Sequence, residues 1–199
     1  MAPRPDVSVE RKSQIIDAAS QVFTERGFSA ARMDDIAAES GLSKGTLYWY
    51  FESKEAIIIS ILDRVFDWET AHLRDILANE DTAQQKLEAI VETTINDLNK
   101  VKPLMPIFIE FWSLSIRNKK INKAIKRYYQ QFVDVIEPVI EQGVEEGDFR
   151  SVPVRETAIS LGAIFEGTIL MWAYFSDELD FEHQFRNNLD LMLSGLSKT

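Results

Sequence analysis

Few residues in this chain are equipped for bond-making chemistry. Its 199 residues hold no cysteine, which excludes disulfides, thiolate nucleophiles and Cys-zinc sites. The two histidines, His72 and His183, lie far apart and in no ligand spacing, and no Gly-rich phosphate loop follows a strand pattern. No metal, no cofactor and no catalytic residue is therefore expected. Glu110 and Glu166 are acids set in apolar runs (106–112 and 163–167), and would serve as a general acid/base pair only if folding brought them together. The side chains that suit a different chemistry, recognition of nucleic acid, cluster within 27–55. There Lys44 can pair with phosphate or a guanine edge, and Thr46 can hydrogen-bond a base or a phosphate. Tyr48 and Tyr50 offer hydroxyls to phosphate, and Gly45 lets a backbone come close with no side chain between. Trp49 is expected to be exposed if Leu47 and Phe51 are buried. Lys54 combines an amine with the N–H groups of a helix start.

The elements that hold these residues read as helices. Only 8 Gly and 6 Pro punctuate the chain, helix formers dominate between them, and period-2 alternation is scarce. Residues 9–26 put Ile15, Ala19, Val22 and Phe23 on one face. Shorter helices fit 33–40 and 44–51, with Gly41 between them and Ser43 as a cap. Helix, three-residue turn, helix is the helix-turn-helix plan, whose second helix lies in the major groove. Ser53 opens a longer helix to about Leu77, and further helices are predicted over 83–101, 104–116, 119–145, 155–175 and 181–196. Pro138 predicts a kink or local break inside the longest. The change from short to long helices near residue 52 sets the expected boundary, 1–52 and 53–199.

The segment from Leu42 to Ala56, LSKGTLYWYFESKEA, resembles the recognition-helix signature of the tetracycline-repressor (TetR) family of transcriptional regulators. Ala19, Val22, Phe23, Gly27, Phe28, Ile36 and Ala37 fit the same pattern, so the specific motif covers about a quarter of the chain. Downstream the likeness is looser, resting on helix count, a turn at 147–150 and Glu166-Gly167 in a late helix. The resemblance implies an all-α protein: a three-helix helix-turn-helix DNA-binding domain, then about six helices forming a ligand-binding and dimerisation domain. It assigns DNA contacts to Arg32, Ser43, Lys44, Gly45, Thr46, Tyr48, Trp49, Tyr50 and Lys54. Two positions depart from the family pattern. Arg32 stands where the family often has a capping Thr, which costs that helix start about 1 kcal/mol. Trp49 is bulkier than many residues found there, which narrows the choice of operator bases.

The second half is rich in large apolar side chains, which suits a drug-sized cavity. Its expected lining is Phe66, Trp68, Met105, Phe108, Glu110, Phe111, Trp112, Phe165, Glu166 and Trp172. Buried carboxylates need partners. Glu110 and Glu166 would meet either a cationic ligand, aided by cation–π attraction, or an intramolecular or dimer-contact hydrogen bond, and the second is favoured. The family packs the corresponding late helices of two subunits together. The expected dimer contacts are Ala158, Leu161, Gly162, Phe165, Leu189, Met192, Leu193 and Leu196, with Ala158 and Gly162 permitting close approach. Arg4, Arg11 and Lys12 form either a basic arm touching DNA or a solvated terminus.

These readings combine into a homodimeric, ligand-responsive DNA-binding regulator, a repressor released from a palindromic operator by a small hydrophobic effector, cationic in one reading. It is expected to be cytoplasmic and not an enzyme: no apolar run approaches the roughly 18 residues of a membrane span, and the polar 1–11 stretch lacks a signal-peptide core. The competing reading is a helical protein-interaction module that keeps the motif for packing and does not read DNA. Charge bears on the choice. The net charge is −10, with 7 Lys+Arg against 9 Asp+Glu in residues 1–60 and 15 against 23 in 61–199. That excludes a charge-driven nucleic-acid coat but permits a site reader. With about three cationic phosphate contacts per subunit, log affinity against log salt should fall with a slope near −5 for a dimer. A measured slope steeper than about −9 would reveal a basic surface hidden from the sequence.

Overall fold

Long runs of helix formers, broken where Gly, Pro and short polar stretches fall, produce nine α-helices among the described residues, which are 7–198 in this computed structural model. They are α1 (Val7–Arg26), α2 (Met33–Ser40), α3 (Lys44–Tyr50), α4 (Lys54–Leu77), α5 (Ala83–Val101), α6 (Met105–Ser115), α7 (Lys119–Glu146), α8 (Val154–Tyr174) and α9 (Phe181–Leu196). A single 3₁₀ turn, Lys102–Leu104, precedes α6. Arg4 lies outside the described residues. Of the kink or local break expected at Pro138, the break does not occur: the 28-residue α7 continues through it. Pro138 sits on the exposed side, where the carbonyl it leaves unbonded can meet water.

The helices form two compact units. The first runs through Phe66 and takes up Lys102–Ile125, so α6 and the start of α7 belong with the N-terminal helices. Its core is built by Ile15, Ala19, Val22 and Phe23 of α1, Ile36 of α2, Leu47 of α3 and Ile57, Ile58, Ile61 and Leu62 of α4, all buried. Two local devices fix α2. Arg32 cannot cap it with its side chain, but the Asp35 carboxylate accepts the Arg32 N–H at 2.9 Å and supplies half of a capping box. At its other end Gly41 turns left-handed, with φ +66°, and Leu42 N–H reaches the Ala37 carbonyl at 3.1 Å.

The turn from α1 to α2 is gripped by two opposite charges. The Lys54 ammonium, at the start of α4, donates to the carbonyls of Phe28 (2.5 Å), Ala31 (2.6 Å) and Ser29 (3.3 Å), and lies 4.7 Å from the centre of the Phe28 ring. The Glu110 carboxylate, from α6, accepts the N–H groups of Phe28 (2.5 Å) and Ser29 (3.1 Å) and the Ser29 hydroxyl (3.3 Å). Two sequence expectations are corrected here. Lys54 is not a free phosphate ligand, because its three N–H donors are committed to carbonyls. Glu110 does not line an effector cavity; the favoured intramolecular hydrogen bond is the one observed.

The second unit comprises Asp67–Val101 and Lys126–Thr199. Its core joins Trp172 of α8 to Phe181 and Phe185 of α9, with centroids at 5.3 and 4.2 Å, and Phe165 stacks on Phe185 at 5.0 Å. This packing overturns most of the expected dimer contacts. Ala158, Leu161, Leu189, Leu193 and Leu196 are buried against their own chain, so they have no surface left for a partner. Gly162 makes room for Phe132 of α7, because a methyl there would press on that ring at 2.8 Å. The apolar residues that do face outward on these helices are Ile159, Ile164, Leu170, Met171, Tyr174, Phe175 and Leu191. α8 is thus apolar on both sides, and by length and composition it could cross a membrane, with a mean hydropathy of 1.2 over 18 residues.

Replacing Lys54 with Met leaves three turn carbonyls without their donor. Urea unfolding should show a loss of about 1–3 kcal/mol. A stability unchanged within error would mean that the clamp contributes nothing to the fold.

A candidate nucleic-acid interface and a buried acid cluster

The seven residues of α3 are too few to hold a helix by themselves, and their ends are fixed from outside. The Ser43 hydroxyl accepts the Thr46 N–H at 3.1 Å and bonds the Thr46 hydroxyl at 2.8 Å, while the Phe51 N–H closes the far end on the Leu47 carbonyl. Leu47 is fully buried and anchors the helix to the core. The opposite side faces outward: Trp49 is 84% exposed, Tyr48 is 46% exposed, and Lys44 and Gly45 are exposed. Thr46 and Tyr50 are half-buried at the edges. Nothing inside the protein requires glycine at 45, since a methyl group there would meet only the Ser43 hydroxyl, at 3.8 Å.

Lys44 and Tyr48 line an open groove with residues 29–34 and Lys54. Arg32 is exposed on its rim. Asp34, in the first turn of α2, pairs with Lys44 at 2.6 Å and raises its pKa, mainly through the hydrogen bond and then through its charge. The surface therefore offers two cations, hydroxyl donors, aromatic rings and one bare stretch of backbone, which is the donor set that phosphates and base edges accept.

The residues expected to line an effector cavity divide between the units. In the first, Phe66, Met105, Phe108 and Phe111 are buried and Phe66 lies 5.8 Å from Phe108. Phe111, 1% exposed, is core and not cavity wall. Trp112 is half-buried, 6.1 Å from Phe108. In the second unit Trp172 is likewise core, sealed by Phe181, while Phe165, Glu166 and Trp68 are half-buried.

Glu166 does not stand alone. Burial raises its carboxyl to a pKa of about 7, against a hydrogen bond from Tyr129 that pulls the other way, and its Oε1 is buried with no hydrogen-bond partner among the described residues. Glu69 of α4 is also raised to about 7, first by burial and then by the negative charges of Glu166 and Asp97. The Tyr128 phenol is pushed well above its usual value by burial, with Glu69 and Glu166 adding to the effect. Beside them Lys100 pairs with Asp97 at 2.7 Å and lies 5.0 Å from the centre of the Trp68 ring. The result is a part-buried cluster of acids, two of them with raised pKa values, edged by aromatic rings. Sequence reading missed Glu69, although Leu62, Phe66 and Glu69 fall at i, i+4 and i+7 and so share the inward stripe.

Comparison with known proteins places this geometry in a family. Residues 15–61 match the family model for bacterial regulatory proteins of the tetR family, and residues 83–193 match that for the C-terminal domain of BetI-type transcriptional repressors. The chain is 24% identical to the fatty acid metabolism regulator protein of Bacillus subtilis (strain 168), covering 92% of this chain and 94% of that one. It is 29% identical to the transcriptional repressor KstR2 of Rhodococcus jostii (strain RHA1), over 94% and 91% of the two chains. A transcriptional regulator from Saccharomonospora viridis, solved in complex with choline, has the same fold, with a TM-score of 0.84 at 22% identity over 96% of this chain and all of that one. A helix-turn-helix with an outward-facing α3, joined to a helical domain matched over more than half of the chain, makes this protein a member of the TetR family of bacterial transcriptional regulators, with a C-terminal domain of the BetI type.

Proposed function

We propose that this chain acts as a homodimeric, cytoplasmic repressor, without catalytic activity, that reads a palindromic operator through α3 and is released by a small, hydrophobic, cationic effector. The observation that carries the DNA reading is the outward face of α3. Lys44, Gly45, Tyr48 and Trp49 have no role in the core, and a glycine at 45 serves only something outside the protein. Arg32 adds a cation on the same groove. In a dimer each α3 enters a major groove, so half-sites lie about 34–36 Å apart or a multiple of that. The outward apolar residues of α8 and α9, Ile159, Ile164, Met171, Tyr174 and Leu191 among them, supply the partner surface.

For the effector, Glu69 and Glu166 are the support. Two carboxylates held near neutrality are costly to ionise alone, and a cation entering beside them would take the place of a proton. The choline bound by the Saccharomonospora viridis regulator fits that chemistry, and choline is the natural first probe. An effector of this kind shifts the regulator only by binding one conformation better than the other.

Substituting Lys44, Thr46 and Tyr50 together by Ala should abolish sequence-specific binding to an operator selected from a random duplex library. The melting temperature should change little; a variant that still shifts the operator would refute α3 as the reading element. The acid cluster has its own signature. Both carboxyls have folded pKa values of about 7, above the ordinary 4.5, so the native state holds these protons more tightly than the unfolded chain. Their contribution to stability is complete below about pH 4.5 and is lost as pH rises to 7. Glu69→Gln with Glu166→Gln should flatten that fall in thermal scans, and choline affinity should rise several-fold from pH 6 to pH 8. Choline binding that is insensitive to pH over this interval would place the effector elsewhere.

A further inference from the structure

The first compact unit is more basic than the sequence order suggests. Through Phe66 the chain holds 8 Lys+Arg and 10 Asp+Glu, but Lys102–Ile125 adds 5 and 1, so this unit carries +2. The second unit, with 9 Lys+Arg and 21 Asp+Glu, carries −12. The positive excess comes from one place. Arg117, Lys119, Lys120 and Lys123 line the entry to α7, and no acid occurs between Glu110 and Asp134. All four are exposed, beside Ile116, itself 84% exposed.

One contact locates this band. Lys120 pairs with Glu52 at 2.7 Å, and Glu52 stands two residues beyond the end of α3. The Glu52 hydrogen bond, its charge and that of Glu55 all raise the pKa of Lys120. The start of α7 therefore lies beside the recognition helix, with Glu52 neutralised by Lys120. Arg117, Lys119 and Lys123 have no side-chain hydrogen bond or ion pair among the described residues. Lys119 and Lys123 also stand one helical turn apart, where like charges repel. The fold gains nothing from that arrangement, but a polyanion would.

We propose that Arg117, Lys119 and Lys123 form a second DNA-contacting surface, which grips backbone phosphates flanking the bases read by α3. The partner is duplex DNA because the band shares a compact unit with the reading helix, while the other unit's −12 is repelled by any phosphate array. With Lys54 committed to the α1–α2 turn, the cations set against phosphate in each subunit are Arg32 and Lys44 on the groove, Lys44 exchanging Asp34 for phosphate, and these three on α7 and its approach. Ten contacts in a dimer put the salt slope near −9, whereas Arg32 and Lys44 alone give about −4.

The inference rests on the α3 reading, and the test separates the two. An operator selected from a random library is assayed at several salt concentrations, once with flanking arms of about one helical turn and once trimmed of them. Arg117→Gln with Lys119→Gln and Lys123→Gln should lose about tenfold or more on the flanked duplex and flatten its salt slope by about 5, with little change on the trimmed one. Glu52→Gln, which frees Lys120, should act in the opposite direction and tighten binding to the flanked duplex several-fold. Lys44→Ala on the trimmed duplex reports on α3 alone, so failure of that reading appears in a different arm. A triple variant with unchanged slope and affinity would overturn the proposal, as would equal losses on both duplexes. So would binding to phosphatidylglycerol vesicles that the triple variant loses while its DNA slope is unchanged, since that assigns the band to a membrane surface.

Discussion

The geometry of the reading head depends on a six-residue turn held between an ammonium and a carboxylate. Lys54 collects the carbonyls of Phe28, Ser29 and Ala31, and Glu110 collects the amides of Phe28 and Ser29. Each charge is satisfied by peptide groups that would otherwise need water, and charge-assisted bonds of this kind are about twice as strong as neutral ones. The turn decides where α2 begins, and α2 with its Gly41 turn decides where α3 points. The two clamping residues come from α4 and α6, so the attitude of α3 is set by helices outside the helix-turn-helix. A bound effector that displaced either helix by a fraction of an ångström would move hydrogen-bond partners that have no slack. That gives the differential affinity required of an allosteric regulator a physical route to DNA.

A second constraint governs the acid cluster. Burial makes an ionised Glu69 or Glu166 expensive, and each charge makes the other more so. The unliganded protein relieves this by holding protons near neutral pH. The proposed cation would relieve it differently, by offering a counter-charge to Glu166 Oε1, the one buried side-chain oxygen left without a hydrogen bond among the described residues. The site is thus destabilised where a ligand would act. A cation bound there would compete with a proton at Glu166, which has no ion pair of its own among the described residues.

What could be read from the sequence followed periodicity and caps. The spacing of Ile15, Ala19, Val22 and Phe23, the stop at Gly41 and the cap at Ser43 are local signals, and the helices they predict form within a residue or two. The exposure of Trp49 followed from burying Leu47. Contacts between residues far apart in sequence were not legible. Nothing local to Lys54 announces three carbonyls from a turn more than twenty residues upstream, and an amine at a helix start reads equally well as a phosphate ligand. The late helices misled for a related reason. Ala158, Leu161, Leu189 and Leu193 form a stripe that suits a partner helix, but α8 and α9 are apolar on two sides, and periodicity cannot say which side the chain keeps for itself. Glu69 was missed, although its place on an inward stripe was a local signal; its coupling to Glu166 and Asp97 belonged to the fold.

Charge shows the same limit most clearly. Counted along the chain, residues 1–60 are slightly acidic and the remainder strongly so, which describes a reading head with few cations. Folding regroups the count, because Lys102–Ile125 lies late in the sequence but joins the first unit. The chain-wide −10 then resolves into +2 and −12; the basic stretch after Glu110 is visible in the sequence, but its grouping with the N-terminal helices is not. Near DNA the two units respond with opposite sign. If the start of α7 meets phosphate as proposed, the basic unit gains most where phosphates meet α3 and that band together. Specificity in such a molecule is partly electrostatic exclusion: a net negative protein binds DNA weakly in most orientations and well in one.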